Sequence, residues 1–198
     1  MTASSASTAK DTWRTQFRTY RRSLSPGSYR ARSSLIGHRS LAIPEVAKAE
    51  VIHVYWPLPD RREIDTRLLI TALHGRGAEV VLPRVTSYDP ETPTLEHRLY
   101  EGPESLQKNR WGIGEPVGTK RVSPDALDLV LVPALGADRR GHRLGYGSGY
   151  YDAFLESVTC PRIALVYDAC VVSRLPSAPH DVPMTTLVTE HNVLPVDD

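Results

Sequence analysis

The chain has 198 residues, of which 40% are hydrophobic and 24% are charged, and its formal net charge is +1. This composition is typical of a globular protein, and no apolar run approaches the roughly 20 residues that a membrane-spanning helix needs. The two cysteines, Cys160 and Cys170, have no spacing typical of a metal or redox site. We therefore expect a cytoplasmic protein without a membrane partner.

The chain begins with MTASSASTAK, a small and polar segment that lacks the apolar core of a signal peptide. We expect residues 1–9 to form a disordered tail. Residues 10–198 are expected to form a single domain, because the length suits one substantial core and no later linker or repeat divides the chain.

The next segment combines an apolar and a basic pattern. A helix over residues 10–24 is predicted by apolar residues at steps of four, three and four: Trp13, Phe17, Tyr20 and Leu24. Eight basic side chains stand against a single acid in residues 1–40. Such an excess suits contact with nucleic acid, a membrane surface or a phosphorylated small molecule, but it also suits a solvated helix face. Charge alone leaves these alternatives open.

Beyond a second predicted helix at residues 29–42, short β-rich runs alternate with helical segments at residues 64–77 and 149–158. This alternation predicts an α/β fold, a single domain with a mostly parallel β-sheet flanked by helices on both faces in three α/β/α layers. Residues 86–122 are rich in proline and glycine, and we expect an irregular excursion over the sheet edge. The β-rich runs are VIHVYWP (51–57), AEVVLP (78–83), LDLVLVP (127–133), RIALVY (162–167) and TTLVT (185–189).

The segment RLGYGSGYYD, residues 143–152, closely follows a predicted strand and leads into a predicted helix. Ligands of open α/β sheets bind where strands end and helices begin. Closely spaced glycines let backbone N–H groups approach phosphate oxygens. The spacing matches neither the G-x-G-x-x-G dinucleotide fingerprint nor the P-loop. From the residues alone, this glycine loop is either a phosphate site or a tight turn.

A longer segment around the glycine loop, VPALGADRRGHRLGYGSGYYDAFL (132–155), resembles the signature region of the 5-formyltetrahydrofolate cyclo-ligase family. The glycine segment is the most specific part of this resemblance, whereas a lysine and an arginine four residues apart would be weak evidence alone. Further matches occur in the family's order along the chain: Lys10 with Arg14, REIDT (62–66), WGIGEP (111–116) and PHDVPM (179–184).

The resemblance implies an enzyme that uses ATP to convert 5-formyltetrahydrofolate into 5,10-methenyltetrahydrofolate. ADP and phosphate are released, and the formyl group passes through a phosphorylated, imidate-like intermediate. The resemblance also implies Mg²⁺ as the cofactor that accompanies ATP, and a monomer that contacts ATP and the folate but no nucleic acid. Two alternatives are a non-catalytic relative that binds folate or nucleotide and a nucleic-acid-binding module that uses the basic first helix.

Roles for individual residues are implied by the same resemblance, although Tyr151 could instead be a plain core residue. Cys170 stands where many relatives carry a glutamine, and it receives no role. The expected catalytic residues are Lys10, Arg143 and Tyr151. The expected ATP-binding residues are Lys10, Arg14, Arg143, Leu144, Gly145, Tyr146, Gly147, Ser148, Gly149, Tyr150 and Tyr151. The expected folate-binding residues are Glu63, Trp111, Tyr146, Gly147, Ser148, Gly149 and Tyr150. The expected Mg²⁺ ligands are Asp152 and Asp181.

Overall fold

The computed structural model describes residues 3–89, 91–178 and 181–196, with the backbone alone described for residues 3–7. No helix within these ranges is long and apolar enough to cross a membrane. The helices are α1 (Ala3–Ser23), α2 (Pro26–Leu41), α3 (Pro44–Lys48), α4 (Arg67–Gly75) and α5 (Tyr150–Leu155). The strands are β1 (Val51–His53), β2 (Glu79–Ser87), β3 (Thr94–Leu99), β4 (Leu106–Lys108), β5 (Gly114–Pro116), β6 (Leu129–Pro133), β7 (Gly136–Asp138), β8 (Arg143–Leu144), β9 (Arg162–Leu165), β10 (Val171–Val172), β11 (Thr186–Val188) and β12 (Val193–Pro195).

Seven strands form the central sheet in the order β12-β11-β9-β6-β1-β2-β3. The five inner strands run parallel, and the edge strands β12 and β3 are antiparallel to their neighbours. The inner strands consist largely of buried Val, Ile and Leu, as expected for strands covered on both faces. Helix α2 packs on α4 and β11, α4 packs on β2, and α5 packs on β3. The predicted single α/β domain, with a mostly parallel sheet and flanking helices, is confirmed.

Helix α1 begins at Ala3, whereas the sequence predicted a tail over residues 1–9 and a helix from Lys10. The described part of that tail, residues 3–9, is thus helical in this structure. Alanine has a high helix propensity and recurs in this segment. The apolar pattern that predicted the helix starts only at Trp13, and it therefore gave no signal for these first turns.

The segment at residues 86–122 is more regular than the sequence predicted. Strand β3 pairs with β2 and forms one edge of the central sheet, while β4 and β5 form a separate two-stranded ribbon. The expectation of an irregular excursion was wrong because Glu96 and His97 occupy buried positions in β3. Two polar residues in the middle of a six-residue strand remove the apolar pattern by which strands are predicted.

A small sheet in the order β10-β7-β8 carries the glycine loop. The fully buried carboxylate of Asp138 accepts hydrogen bonds from the backbone amides of Arg140 (3.1 Å), His142 (3.0 Å) and Leu175 (2.9 Å). Burial alone would raise the pKa of Asp138, but the hydrogen bonds lower it below its usual value. The β7–β8 hairpin, whose second strand begins at Arg143, is thereby fixed.

Candidate functional site

A cavity of about 390 Å³ opens at the carboxyl ends of the parallel strands β1 and β6. This is the edge at which open α/β sheets bind ligands. Of the sequence-predicted site residues, Glu63, Trp111, Arg143 and residues 145–152 line the cavity. The remaining four lie outside its lining: Lys10, Arg14, Leu144 and Asp181.

Helix α1 contacts the glycine loop through two arginines that are four residues apart. The Arg14 Nε donates to the Gly145 carbonyl at 3.1 Å, and the Arg18 Nη2 donates to the Tyr146 carbonyl at 3.3 Å. Arg14 also forms an ion pair of 2.7 Å with Asp11 on its own helix. Arg14 and Arg18 therefore lie along the loop, and Arg18 lines the cavity itself.

Lys10 lies outside the cavity lining. Its ammonium forms an ion pair with Asp181, with 2.8 Å between Nζ and Oδ2. The same carboxylate oxygen accepts the Ala178 amide at 2.7 Å. The contact ties α1 to the segment before β11, and both side chains are largely shielded from solvent. Pro179 and His180, the first two residues of the PHDVPM motif, lie outside the described residues.

Arg143 is a buried cation at the base of the glycine loop. Its side chain is 5% exposed, and its Nη2 donates to Asp152 Oδ1 at 2.8 Å. Burial lowers the pKa of Arg143, and the nearby Asp152, Tyr151 and Asp181 oppose that effect. Because the side chain of Asp152 is 41% exposed, a ligand that enters the cavity can displace Asp152 from this ion pair and bind Arg143 instead.

Two glycines of the loop allow arginines to approach the backbone. A Cβ at Gly145 would lie 2.9 Å from the Arg143 Nη1, and a Cβ at Gly147 would lie 3.2 Å from the Arg14 Cζ. Gly147 also has a φ of +99°, which disfavours any other residue. The glycines thus bring two guanidinium groups against the loop, a requirement that a plain tight turn would not impose.

The two predicted metal ligands differ in availability. No group of three His, Cys, Asp or Glu side chains suited to a metal ion occurs in the part of the chain that the structure describes. Mg²⁺ commonly uses only one or two protein carboxylates together with substrate phosphates and water. Asp152, exposed on the cavity wall, fits that pattern. Asp181 directs both carboxylate oxygens to Lys10, and its role as a ligand stays a prediction.

Glu63 supplies a buried carboxylate to the cavity. The residue is 5% exposed, and its Oε2 accepts the Leu58 amide at 3.0 Å. The preceding residue, Arg62, has the left-handed backbone (φ 51°) that turns the chain at this point. Burial raises the pKa of Glu63, and the positive charge of Arg21 opposes that rise. The cavity wall therefore presents an acceptor where little water competes.

Aromatic side chains close the cavity near Trp111, which is 38% exposed. Its ring meets Tyr88 edge-on with 4.8 Å between centroids and Tyr150 with 6.0 Å. The Tyr150 hydroxyl donates to the Ser87 carbonyl at 2.8 Å, which connects the glycine loop to the end of β2. Flat faces beside a buried acceptor suit an aromatic heterocycle.

Tyr151 lies between the cavity and a group of buried histidines. Arg143 lies over its ring, with 5.6 Å from Cζ to the centroid. Its buried hydroxyl has no hydrogen-bond partner among the described residues. Burial raises the pKa of Tyr151, so the phenol is neutral near pH 7 and can donate a hydrogen bond. Behind it, burial lowers the pKa of His53, and that of His97 to about 4.

Arg21 was missed as a site residue by the sequence reasoning, which counted it only among the basic residues. Its guanidinium is buried beside the cavity and donates to the Tyr146 hydroxyl at 3.0 Å. A signal was present, because Arg21 follows Phe17 by four residues and precedes Leu24 by three, and so lies on the apolar stripe of α1. An arginine on the apolar stripe of a helix is expected to be buried together with that stripe.

Comparisons with known proteins agree with the resemblance drawn from the motifs. Residues 6–190 match the model of the 5-formyltetrahydrofolate cyclo-ligase family. The chain is 30% identical to the 5-formyltetrahydrofolate cyclo-ligase of Escherichia coli K12 over 179 residues, covering 87% of this chain and 96% of that protein. The mouse enzyme of the same name is 26% identical over 200 residues, covering 96% and 98% of the two chains. The NMR structure of Aquifex aeolicus 5,10-methenyltetrahydrofolate synthetase superposes with a TM-score of 0.84 at 31% identity, covering 96% of this chain and 93% of that one.

Proposed function

The chain belongs to the 5-formyltetrahydrofolate cyclo-ligase family, and from that premise we propose that it converts 5-formyltetrahydrofolate and ATP into 5,10-methenyltetrahydrofolate, ADP and phosphate. One observation carries the proposal. A single cavity has the glycine loop, Arg143 and Asp152 in one part of its wall, and Glu63 with Trp111 in another. A surface suited to phosphate and a surface suited to a flat heterocycle thus share one cavity.

The chemistry requires the formyl oxygen to become a leaving group. Transfer of the γ-phosphoryl group of ATP to that oxygen produces ADP and an activated, imidate-like carbon. The folate N10 then attacks this carbon, the carbon–oxygen bond breaks, and phosphate departs as the ring closes. Proteins assist phosphoryl transfer mainly by positioning and by neutralising charge.

We propose that the phosphate side of the cavity consists of Arg143, the glycine-loop backbone, and Lys10 and Arg14 of α1. Arg143 is buried and paired with an exposed carboxylate, so its planar fork can turn to phosphate oxygens. Arg14 holds the loop at Gly145, and Lys10 adds a positive charge one helical turn before Arg14 on α1. Mg²⁺, when bound, would neutralise phosphate charge, and Asp152 is the residue best placed to hold it, with Asp181 as a second candidate.

We propose that the folate side consists of Glu63, Trp111, Tyr146 and Tyr150. A pterin edge presents N–H donors, for which an ionised carboxylate is the natural acceptor. The rings of Trp111 and Tyr150 are already held edge-to-face, and a flat ligand can pack on such faces. Tyr151 would donate its free phenol hydrogen toward the reacting groups beside Arg143.

The arrangement of α1 disfavours the nucleic-acid alternative. Arg14, Arg18 and Arg21 are directed to the glycine loop and the Tyr146 side chain, and not to a continuous solvated face that could follow a phosphate backbone. The small number of cysteines supports a cytoplasmic location, and we propose that the enzyme acts there as a monomer.

Absorbance in the methenyl-folate band tests the proposed function directly. Purified protein with 5-formyltetrahydrofolate and Mg-ATP should produce a rising signal that depends on both substrates, with one ADP released per methenyl product. Folded protein that binds both substrates but gives no signal would instead be a non-catalytic relative. A protein that binds neither substrate would contradict both readings.

A further inference from the structure

We propose that Arg21 is a positioning residue for the folate side of the cavity. Arg21 holds the Tyr146 ring and keeps a positive charge near Glu63. The inference rests on the proposed function, because it assigns Arg21 to recognition of the folate and not of ATP. The geometry comes from three elements that meet at one guanidinium: α1, the segment after β6 and the glycine loop.

Arg21 is enclosed by partners that belong to the fold. The residue is 1% exposed, its Nη1 donates to the Tyr146 hydroxyl at 3.0 Å, and its Nη2 donates to the Ala134 carbonyl at 2.5 Å. Its Nε has no partner among the described residues. A buried cation is costly unless its hydrogen bonds are made, and the two bonds it makes both end on residues that line the cavity.

Tyr146 is held in place by this contact and by the cations around its ring. The guanidinium carbons of Arg61, Arg18 and Arg21 lie 5.4, 5.7 and 6.0 Å from the ring centroid. Of these three, only Arg21 donates to the hydroxyl. Loss of Arg21 would remove the hydrogen bond that fixes the hydroxyl end of the ring, while Arg18 and Arg61 would still lie over its face.

Arg21 also determines the electrostatic environment of Glu63. The charges that oppose protonation of this buried carboxylate are those of Arg21 and, more weakly, Arg61. Arg61 is solvent-exposed and therefore screened, whereas Arg21 is enclosed. The other groups coupled to Glu63 are phenols. Burial followed by the Glu63 charge raises the pKa of Tyr55, Tyr146 and Tyr151, and at Tyr29 the Glu63 charge adds to the effects of burial and Asp65.

Two consequences follow for the folate and none for ATP. Without Arg21, Glu63 would take up a proton at a higher pH, and its protonated form is a poorer acceptor for pterin N–H groups. Tyr146 would also lose the partner that fixes its ring. The contacts of Arg143 with Asp152 and of Lys10 with Asp181 do not involve Arg21, and the phosphate side would persist.

Arg21→Gln tests the proposal, with Arg22→Gln as the matched control that removes an equal charge from an exposed neighbour on the same helix. Arg21→Gln should raise the KM for 5-formyltetrahydrofolate by roughly tenfold or more and leave the KM for ATP nearly unchanged. The acid-side decline of kcat/KM for the folate should move to higher pH. Arg22→Gln should match the parent in all three respects.

Arg21→Lys and Glu63→Gln separate positioning from plain stability. Arg21→Lys keeps the charge and loses the fork, so it should raise the folate KM without moving the acid-side decline. If Arg21→Gln does not fold, the folate KM of Arg21→Lys provides the test. In the Glu63→Gln background, adding Arg21→Gln should move no pH profile. Equal losses for both substrates, or an unmoved profile in Arg21→Gln, would reduce Arg21 to a structural anchor.

The same variants distinguish this inference from the proposed function. If the parent shows turnover and Arg21→Gln keeps the parent's folate KM, the inference alone fails. If the parent shows no turnover, the proposed function fails, and calorimetric titration with 5-formyltetrahydrofolate then tests Arg21 by the same comparison. A parent that does not bind the folate overturns both.

Discussion

Arg143 and Arg21 are both buried arginines beside the cavity, yet they are held in different ways. Arg143 bonds to Asp152, whose side chain is 41% exposed, whereas Arg21 bonds to a buried carbonyl and to a tyrosine hydroxyl. Burial lowers the pKa of Arg143. For Arg21 burial acts in the same direction and is the largest single effect, but Tyr146, Glu63, Tyr55 and Tyr167 together outweigh it and raise the pKa. Arg143 can exchange Asp152 for a substrate group that binds and dissociates. Arg21 keeps its partners, and it therefore acts on a substrate only through the residues that it holds.

Replacement of Arg143 should cost more activity than any other substitution proposed for the cavity. Arg143→Ala should lower kcat/KM for ATP by about 10²–10³, the loss typical when one preorganised donor to a developing charge is removed. Arg143→Lys should lie between the two, since it keeps the charge without the fork. Steady-state kinetics with Arg139→Ala, an exposed arginine of the same hairpin, provides the control. An equal loss of folate affinity would show that Arg143 does not belong to the phosphate side alone.

His53 and His97 differ from both arginines, because among the described residues both ring nitrogens of His53 and the Nδ1 of His97 have no hydrogen-bond partner. The pKa of His97 is about 4 in the folded protein and near 6.5 when unfolded. Between these values the unfolded chain binds more protons than the folded one. The contribution of His97 to the free energy of unfolding is therefore fully present above pH 6.5 and is lost as the pH falls toward 4. The loss is up to about 3 kcal/mol for His97, and urea denaturation at several pH values measures it.

His97→Phe is the matched variant for that measurement. It should flatten the decline in unfolding free energy between pH 6.5 and 4, whatever its stability at neutral pH. The buried carboxyls Glu63 and Glu115 have raised pKa values, for which burial is the main cause, and they favour folding as the pH falls. The histidine contribution is therefore the difference between parent and variant. Parallel curves would mean that His97 does not titrate on unfolding.

The partner of Arg143 provides a third test. Asp152→Asn preserves the shape of the side chain and should leave the fold intact. Activity should then require roughly 10–100-fold more Mg²⁺ to saturate, the range typical when a metal site loses a supporting group. Titration of activity with Mg²⁺ at fixed ATP measures this. Saturation at the parent's Mg²⁺ concentration would remove Asp152 from the metal site and leave it as the partner of Arg143.

The smallest effects are expected at the glycines, which differ between themselves. Gly147→Ala places alanine at a φ of +99° and near Arg14, and the strain should cost about 1–2 kcal/mol of stability. Gly145→Ala lies in an ordinary backbone region but displaces the Arg143 Nη1. It should barely change the melting temperature of the free protein and should reduce the upward shift that Mg-ATP produces. A full Mg-ATP shift in Gly145→Ala would mean that Arg143 can move without loss.

The sequence predicted the parallel sheet, since its inner strands are apolar on both faces and end in recognisable breaks. It also predicted the glycine loop, and the cavity does bring Glu63 and Trp111 to that loop. It missed β3, where Glu96 and His97 interrupt the apolar pattern, and it missed Arg21, whose partners come from residues more than a hundred positions away. Local pattern carries no information about which buried polar groups will meet. The first turns of α1 were missed because alanine marks helix propensity but not a buried face.

The buried carboxylate of Asp138 has a consequence for the entropy of ligand binding. By gathering three backbone amides and Arg140, it removes conformational freedom from the hairpin that leads into the glycine loop. Ordering a residue costs about 1–2 kcal/mol at room temperature, and here that cost is met when the chain folds. In the proposed function, ATP would meet a loop whose entrance is already ordered, and more of the contact energy would remain as affinity.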